Sequence, residues 1–247
     1  MNLTRVTDRV YYLPGDPETD APFLYYIRGD NCSAAVDAGQ SRAHVQAFYN
    51  AIREAGFPLP RYTLITHWHW DHTFGLPYVQ GETFASVLTQ QKLRAVAGWL
   101  WTPEAMAARE QSGEDIPFCT EHIRKAYPDL REIWVQPAET AISGTRVFDL
   151  GGVRVQAYAR DSIHSRDALM LYVPEESALF AGDADCEDFY RGGEIDPARV
   201  EDYTRFVRSL PFRRYFLGHA LPVGRPFVMG YLAGMRLRAA KPQLPML

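Results

Sequence analysis

The alternation of apolar and polar residues predicts a chain that begins with strands and continues into a helix. Three short segments rich in β-branched and aromatic residues, bounded by Gly and Pro, predict strands at 10–13, 23–28 and 33–39. Residues 41–55 carry apolar side chains at helical spacing and are followed by Gly56, which predicts a helix that ends there. The segment 61–66 returns to the pattern of a strand.

The remainder of the chain divides into a helix-rich segment, a run of strands and a closing helical region. Residues 87–127 are helix-rich, with breaks at Pro103 and Pro117. Short apolar runs separated by turn signals predict strands at 133–136, 138–143, 145–150, 153–159, 168–173 and 178–182. The last elements are a helix, a strand and an amphipathic tail, at 197–209, 213–218 and 226–239.

Two β-rich blocks that each carry helices predict an α/β fold, with two sheets packed face to face and flanked by helices. We expect one domain over residues 1–247 with a helical insertion at about 95–135. The insertion is dense in aromatic and apolar residues, and it could serve as a lid over a site or as the interface of a homodimer.

Composition and charge mainly exclude classes of function. The 247 residues include 26 basic and 30 acidic side chains, with no basic run, which argues against a nucleic-acid partner. No stretch is long and apolar enough to predict a transmembrane helix, so no membrane association is expected. The first residues do not read as a secretory signal, and three cysteines are too few for a disulfide framework. We therefore expect a cytoplasmic protein with reduced thiols.

The segment THWHWDH at 66–72 carries the clearest chemical signal. His67 and His69 follow an apolar strand, and alternate residues of an extended chain point to one side, so both rings can face one ion. Asp71 and His72 stand where the chain can turn and offer ligands from another direction. Imidazole and carboxylate together suit zinc and other first-row divalent metals.

Three further residues strengthen the prediction of a metal site. His164, Asp183 and His219 each lie just beyond the end of a predicted strand, where loops on a rigid scaffold commonly carry function. The two remaining histidines, His44 and His122, fall within a predicted helix and within the insertion. We interpret both as structural or solvent-facing.

The order of these residues resembles the metallo-β-lactamase superfamily, and within it the glyoxalase-like metal-dependent hydrolases. The shared features are HxHxDH, a lone His, an Asp after an apolar strand, and a Gly-His near the end of the sequence. The segment VDAG around Asp37 and the opening VTDRVYYL are also similar to that family. The resemblance implies a four-layer αββα sandwich with metals at one edge of the two sheets.

The resemblance also implies the role of each residue. One metal would be bound by His67, His69 and His164, the second by Asp71, His72 and His219, and Asp183 would bridge them. The cofactors would then be two divalent ions, with zinc the first expectation and iron or manganese the alternatives. Asp37 would orient a ligating histidine by accepting a hydrogen bond from its second ring nitrogen.

A two-metal centre of this kind predicts hydrolysis by a hydroxide that the two ions share. Asp71 would both ligate a metal and accept a proton from that water, which makes it the candidate catalytic residue. We expect a small organic substrate with an ester, thioester, lactone or amide-like bond. Candidates for the walls of the substrate pocket are Trp68, Trp70, Trp99, Trp101 and Cys186.

Two other functions remain open at this point. An iron-dependent thiol or persulfide dioxygenase uses the same fold with one iron, and a non-catalytic metal-binding protein would keep the ligands without turnover. Glyoxalases and lactonases of the family usually carry Thr-Pro-Gly-His ahead of the lone histidine, whereas this chain has residues 161–164, DSIH. The ligand assignment is unaffected by that departure, but the substrate stays open.

Overall fold

Two β-sheets form the centre of the protein in the computed structural model, which describes residues 2–240. The first sheet has seven strands in sequence order: β1 (Thr4–Arg5), β2 (Val10–Leu13), β3 (Leu24–Arg28), β4 (Ser33–Val36), β5 (Tyr62–Leu64), β6 (Glu82–Ser86) and β7 (Thr140–Ile142). Strands β1 to β4 pair antiparallel, and β4 to β7 pair parallel. The parallel strands therefore end at one edge of the sheet, where their loops can meet.

The second sheet has six strands. In chain order they are β8 (Thr145–Asp149), β9 (Arg154–Ala159), β10 (Leu169–Val173), β11 (Ala178–Gly182), β12 (Arg214–Leu217) and β13 (Val223–Gly224). Their order across the sheet is β13-β12-β11-β10-β9-β8. Strands β11 and β12 pair parallel and the other neighbours pair antiparallel. The carboxyl ends of β11 and β12 consequently lie side by side.

Helices cover the outer faces of both sheets. The α-helices of the described residues are α1 (Arg42–Glu54), α2 (Trp70–Thr73), α3 (Val87–Val96), α4 (Pro103–Ser112), α5 (Pro117–Ala126), α6 (Pro197–Ser209) and α7 (Arg225–Ala239). Ser41 and Asp196 begin α1 and α6 by accepting hydrogen bonds from backbone N–H groups of the first turn. Within residues 2–240, every helix is too short or too polar to cross a membrane.

Buried apolar side chains hold the sheets and the helices together. Val36 and Phe180 belong to the core between the two sheets. Phe48 of α1 packs with Tyr26 on the outer face of the first sheet, and Tyr203 of α6 lies in the cluster on the outer face of the second. The order of layers is thus helix, sheet, sheet, helix, and the predicted four-layer sandwich is confirmed.

The helix-rich segment becomes three helices, α3 to α5. Pro103 and Pro117 stand at the first turn of α4 and α5, where a missing backbone N–H costs no hydrogen bond. Met106, Ile123 and Tyr127 are buried in a cluster against the outer face of the first sheet. The insertion thus extends the helical layer on that side.

The prediction of a strand at 133–136 is wrong. These residues have no regular secondary structure. Ile133 and Val135 are buried in the cluster of the insertion, while Trp134 is exposed. The alternation of apolar and polar residues here comes from packing on neighbouring side chains, because no second strand pairs with the segment.

Candidate metal centre

The side chains singled out in the sequence meet where the strands of both sheets end. The segment 65–72 follows β5 of the first sheet, while Asp183 follows β11 and His219 follows β12 of the second sheet. His164 lies in the connection between β9 and β10. Neighbouring parallel strands end at one edge, so residues more than 140 positions apart come into contact.

A histidine trio, His67, His69 and His164, forms the first group of possible ligands. All three are buried. Nδ1 of His69 lies 3.0 Å from Nε2 of His164, and the buried Nε2 of His67 has no hydrogen-bond partner. Three ring nitrogens therefore converge on one point inside the protein.

A mixed quartet, Asp71, His72, Asp183 and His219, forms the second group. Oδ2 of Asp71 lies 2.9 Å from Nε2 of His72 and 3.1 Å from Nε2 of His219. Oδ2 of Asp183 lies 3.3 Å and 3.4 Å from the same two nitrogens. Two carboxylates and two imidazoles thus surround a second point, and Oδ2 of Asp183 is also 3.9 Å from Nε2 of His67 in the trio.

Two glycines leave space for this arrangement. A Cβ atom on Gly218 would lie 2.1 Å from Oδ1 of Asp183 and 3.0 Å from His72. Gly182 has a φ of +56°, and a Cβ atom there would lie 2.7 Å from Oγ1 of Thr66. Any larger residue would push apart the two sheet edges that carry the quartet.

Hydrogen bonds fix the orientation of the rings. Asp37 has a φ of 65°, which turns its carboxylate back toward the motif. It accepts hydrogen bonds from the backbone N–H of Thr66 at 2.7 Å and from Nδ1 of His72 at 2.8 Å. Nδ1 of His164 lies 2.7 Å from the carbonyl oxygen of Glu187. The opposite nitrogens of both rings are thereby directed into the centre.

Burial and charge act differently on the two groups. Burial, followed by the neighbouring histidines, holds the pKa of His67 and of His69 well below the ordinary value. Burial also opposes the charge on His72 and His219, but the carboxylates around them raise the pKa of each well above that value. In the protein without ions His67 and His69 are neutral, and the imidazoles of the quartet retain protons.

The geometry and the donor set fit divalent ions. Ring nitrogens bound to one tetrahedral zinc at about 2.0–2.1 Å lie about 3.3–3.4 Å apart, near the separations found here. The orphaned Nε2 of His67 and the protons held between carboxylates and imidazoles in the quartet are features that a cation would satisfy. The trio offers nitrogen alone and the quartet nitrogen and oxygen, and both sets suit first-row metals.

The centre opens into an apolar cavity of about 280 Å³. Its apolar walls are Trp70, Ile116, Phe118, Phe189, Tyr190 and Leu217. Asp20 contributes a carboxyl group whose Oδ1 lies 3.6 Å from Nδ1 of His219. Burial, and then the charge of Asp71, raise the pKa of Asp20 to about 7. Among the described residues no Lys or Arg lines this cavity.

A second opening, the basic cleft, lies on the other side of His69 and has a volume of about 440 Å³. It contains Lys92, Arg166 and Arg191. His69, His164 and Tyr190 line both the apolar cavity and the basic cleft, so the centre lies at their junction.

The five candidate pocket residues have different positions. Trp70 and Cys186 line the apolar cavity, and Trp68 lines the basic cleft. Trp99 and Trp101 line neither, because their rings pack on the guanidinium of Arg109 at 4.5 Å and 4.8 Å. The insertion contributes to the cavity through Ile116, Phe118 and Cys119 instead.

The leftover histidines lie outside both groups. His44 is buried in α1, where burial lowers its pKa to about 4. His122 is buried in α5, with Nδ1 2.8 Å from the carbonyl oxygen of Phe118. Neither is therefore among the residues that could hold an ion.

Sequence reasoning missed Tyr190. Its ring lies 4.9 Å from that of His69, and its hydroxyl is 3.1 Å from Oδ1 of the buried Asp115 and 3.4 Å from Sγ of Cys119. These contacts tie the insertion to the loop after β11. The segment 189–191 (FYR) carries no motif, so the sequence offered no signal for this position.

Known proteins resemble this chain at low identity. An atrochrysone carboxyl ACP thioesterase of Aspergillus fumigatus is 26% identical over 210 residues, which cover 83% of this chain and 53% of the relative. A hydroxyacylglutathione hydrolase of Methylobacterium nodulans is 24% identical over 188 residues, which cover 71% of this chain and 62% of the relative. The chain thus spans between half and two thirds of the length of these two curated relatives.

The same fold is found in a stereoselective inverting sec-alkylsulfatase from Pseudomonas sp., with a TM-score of 0.70 at 17% identity over 97% of this chain and 41% of that one. At such identity the likeness concerns the fold alone. The family model of the metallo-beta-lactamase superfamily matches residues 19–219. That match includes the trio, the quartet and most of both sheets, and the chain therefore belongs to the metallo-beta-lactamase superfamily.

Proposed function

We propose that this chain is a metal-dependent hydrolase of a small acyl compound, with a thioester as the first candidate. The observation that carries the proposal is the joining of two ligand groups through Asp183 at the base of an apolar cavity. The curated relatives, named as a thioesterase and as a hydroxyacylglutathione hydrolase, favour the thioester among the ester, thioester, lactone and amide-like bonds that the centre could accept.

The proposed ligands of one ion are His67, His69 and His164, those of the second are Asp71, His72 and His219, and Asp183 contacts both. Divalent ions held there, zinc first among them, would supply Lewis acidity for the carbonyl oxygen of the substrate and would make a bound water more acidic.

The protein's own residues orient and protect the reacting groups. Asp37 holds Nδ1 of His72, which directs Nε2 into the quartet. Asp71 is buried beside His72 and His219, which lower the pKa of its carboxyl group against the opposing effect of burial, so it is ionised. Its proposed role as proton acceptor rests on its position in the centre. Phe118 and Phe189 contribute apolar surface to the wall of the cavity.

The first test is metal content followed by turnover. Zinc, manganese and iron are measured in the purified protein and after reconstitution, and the loaded protein is assayed on esters, thioesters, lactones and phosphodiesters. We expect close to two ions per chain, hydrolysis of thioesters, and a lower metal capacity in Asp183→Ala. Asp8→Ala is the control, because it makes the same change at an exposed carboxylate that pairs with Arg5 and is not part of the centre.

Other outcomes contradict the proposal in distinct ways. One iron per chain with oxygen consumption on a thiol or persulfide would identify a dioxygenase. Two ions with no turnover on any class of substrate would identify a non-catalytic metal-binding protein. A capacity of one ion that Asp183→Ala leaves unchanged would contradict the shared role of Asp183.

A further inference from the structure

The two openings at the metal centre differ in charge. The apolar cavity has aromatic and aliphatic walls, and Asp20 is its one charged residue outside the proposed ligands among the described residues. The basic cleft contains Lys92 and Arg166, and neither forms an ion pair with a described residue. A substrate that lies across the centre therefore meets an apolar wall on one side and two cations on the other.

Three other charged residues of the basic cleft, Asp188, Arg191 and Asp167, make polar contacts with residues of their own surroundings. Asp188 pairs with Arg199 at 3.2 Å, and Arg191 pairs with Glu194 at 3.3 Å. Asp167 is buried, and its Oδ2 accepts hydrogen bonds from the backbone of Trp68 at 2.9 Å and from Oγ1 of Thr89 at 2.7 Å.

Glu114 is the remaining acidic residue of the basic cleft. It is exposed and forms no ion pair with a described residue. Lys92 and Arg166 are thus the cations of the cleft that remain available to an anion.

Lys92 is positioned relative to the centre by an aromatic contact. Its Nζ lies 4.4 Å from the centre of the Trp68 ring, within the range of a cation–π interaction. Trp68 stands between His67 and His69 in the motif, and its ring lies 4.8 Å from that of His69. The cation is therefore connected to the trio through one side chain.

We propose that the acyl group of the substrate occupies the apolar cavity, and that an anionic group on the leaving thiol binds Lys92 and Arg166 in the basic cleft. This inference rests on the proposed function. Water adds its oxygen to the carbonyl carbon, the carbon–sulfur bond breaks, and the sulfur takes the proton, so the products are a carboxylic acid and a thiol. The anion is a phosphate or a carboxylate, and the acyl group is uncharged because the cavity offers it no cation.

Three thioesters with one acyl group test the assignment. Benzoyl thioesters of N-acetylcysteamine, coenzyme A and glutathione present a neutral, a phosphate-bearing and a carboxylate-bearing thiol. They are compared in the metal-loaded wild type, in Lys92→Gln, in Arg166→Gln and in the double variant. The control is Arg94→Gln, because Arg94 is an exposed cation on the same helix as Lys92 that lines neither opening.

We expect KM for the preferred anionic thioester to rise about 2- to 5-fold for each cation removed, as for exposed ion pairs. KM for the neutral thioester and kcat for all three should stay within error, and Arg94→Gln should match the wild type. If KM rises for the coenzyme A thioester, the bound anion is a phosphate, and if it rises for the glutathione thioester, the bound anion is a carboxylate. Equal changes in KM for neutral and anionic thioesters, or none in the double variant, would overturn the proposal.

A binding measurement separates this proposal from the proposed function. Dissociation constants of S-benzyl coenzyme A and S-benzyl glutathione, which cannot be hydrolysed, are measured by calorimetry in the same variants. A loss of binding in the double variant, without turnover of any thioester, would retain the basic cleft as an anion site and reject the hydrolase. Unchanged binding of both thioethers would reject the basic cleft whatever the turnover.

Discussion

The trio and the quartet lie side by side but differ in their ligand atoms and in how they are built. The trio takes two histidines from one strand end and a third from the other sheet, and none of its members is a carboxylate. The quartet combines Asp71 and His72 from the turn of α2 with two residues from β11 and β12, and two of its members are carboxylates. Burial keeps His67 and His69 of the trio neutral, while the carboxylates keep protons on the imidazoles of the quartet.

This difference means that proton release accompanies ion binding in the quartet more than in the trio. A neutral nitrogen site needs no proton exchange to bind a cation, whereas the quartet must release protons first. The quartet also lies closer to Asp20, which titrates near neutral pH. The comparison therefore predicts that changes in the quartet affect rate and pH dependence more than changes around the trio.

The largest effect is expected for Asp71→Asn. The amide keeps the size of the side chain but removes the proton acceptor, so kcat should fall about 10²–10⁴-fold while most of the metal is retained. Rates and metal content are measured on the same preparation. Full activity in this variant would remove Asp71 from the mechanism, and a parallel loss of metal and rate would make it a ligand alone.

A smaller effect is expected for Asp37→Asn, which weakens the hydrogen bond to Nδ1 of His72. Loss of such a supporting contact lowers metal affinity about 10- to 100-fold. We expect the ion in the quartet to be affected more, because Asp37 contacts His72 directly and reaches His67 of the trio only through Thr66. Equal weakening of both ions would show that the two groups do not act separately.

Proton release on metal binding gives a third comparison. His72 and His219 have raised pKa values and are protonated at neutral pH without ions, so affinity for the ion in the quartet should rise with pH by about tenfold per unit for each proton released. His67 and His69 have lowered pKa values and are already neutral, so their ion should bind with little pH dependence. Calorimetry in buffers of different ionisation enthalpy counts the protons.

The same shifts govern the protein without ions. Protonated His72 and His219 contribute stability that is fully present below the ordinary histidine pKa and is lost as the pH rises through their raised values. Metal-free protein should therefore unfold at lower denaturant concentration at alkaline than at neutral pH, a range in which the histidines with lowered pKa are neutral in both the folded and the unfolded state. A midpoint that is flat or rises with pH would contradict the charge arrangement of the quartet.

The smallest effect concerns the insertion. Phe118 is half-exposed and lines the apolar cavity, so Phe118→Ala should raise KM for an apolar acyl substrate about 3- to 10-fold. Trp101→Ala is the comparison, because Trp101 packs on Arg109 away from the cavity and should affect stability instead. A rise in KM for Trp101→Ala alone would indicate that the tryptophans, rather than Phe118, form a lid over the substrate. A change in oligomeric state would indicate that the insertion is a dimer interface.

Some of this protein could be predicted from residue patterns because the relevant signals are local. The strand pattern of 61–66 and the spacing within 66–72 place two rings on one side of an extended chain, whatever the rest of the fold does. The helix at 197–209 was predicted at its observed bounds, since a capping Asp and apolar residues at helical spacing define it. The two sheets and their flanking helices followed from the order of such elements.

Other features depended on contacts that no local pattern encodes. The apolar alternation at 133–136 could not reveal that the segment has no pairing partner, and the aromatic residues Trp99 and Trp101 could not reveal that they pack on Arg109. Tyr190 became recognisable only through its position against His69.

The sequence by itself determined which residues are available as metal ligands. The tertiary structure decided how these residues are divided between the two ligand groups. Ligand identity follows from side-chain chemistry and from spacing within a strand, both of which are local. The division into trio and quartet, the position of Asp183 between them and the contrast between the apolar cavity and the basic cleft arise where β5, β11 and β12 end together. Such proximity is set by sheet pairing over long separations, which the order of residues alone does not specify.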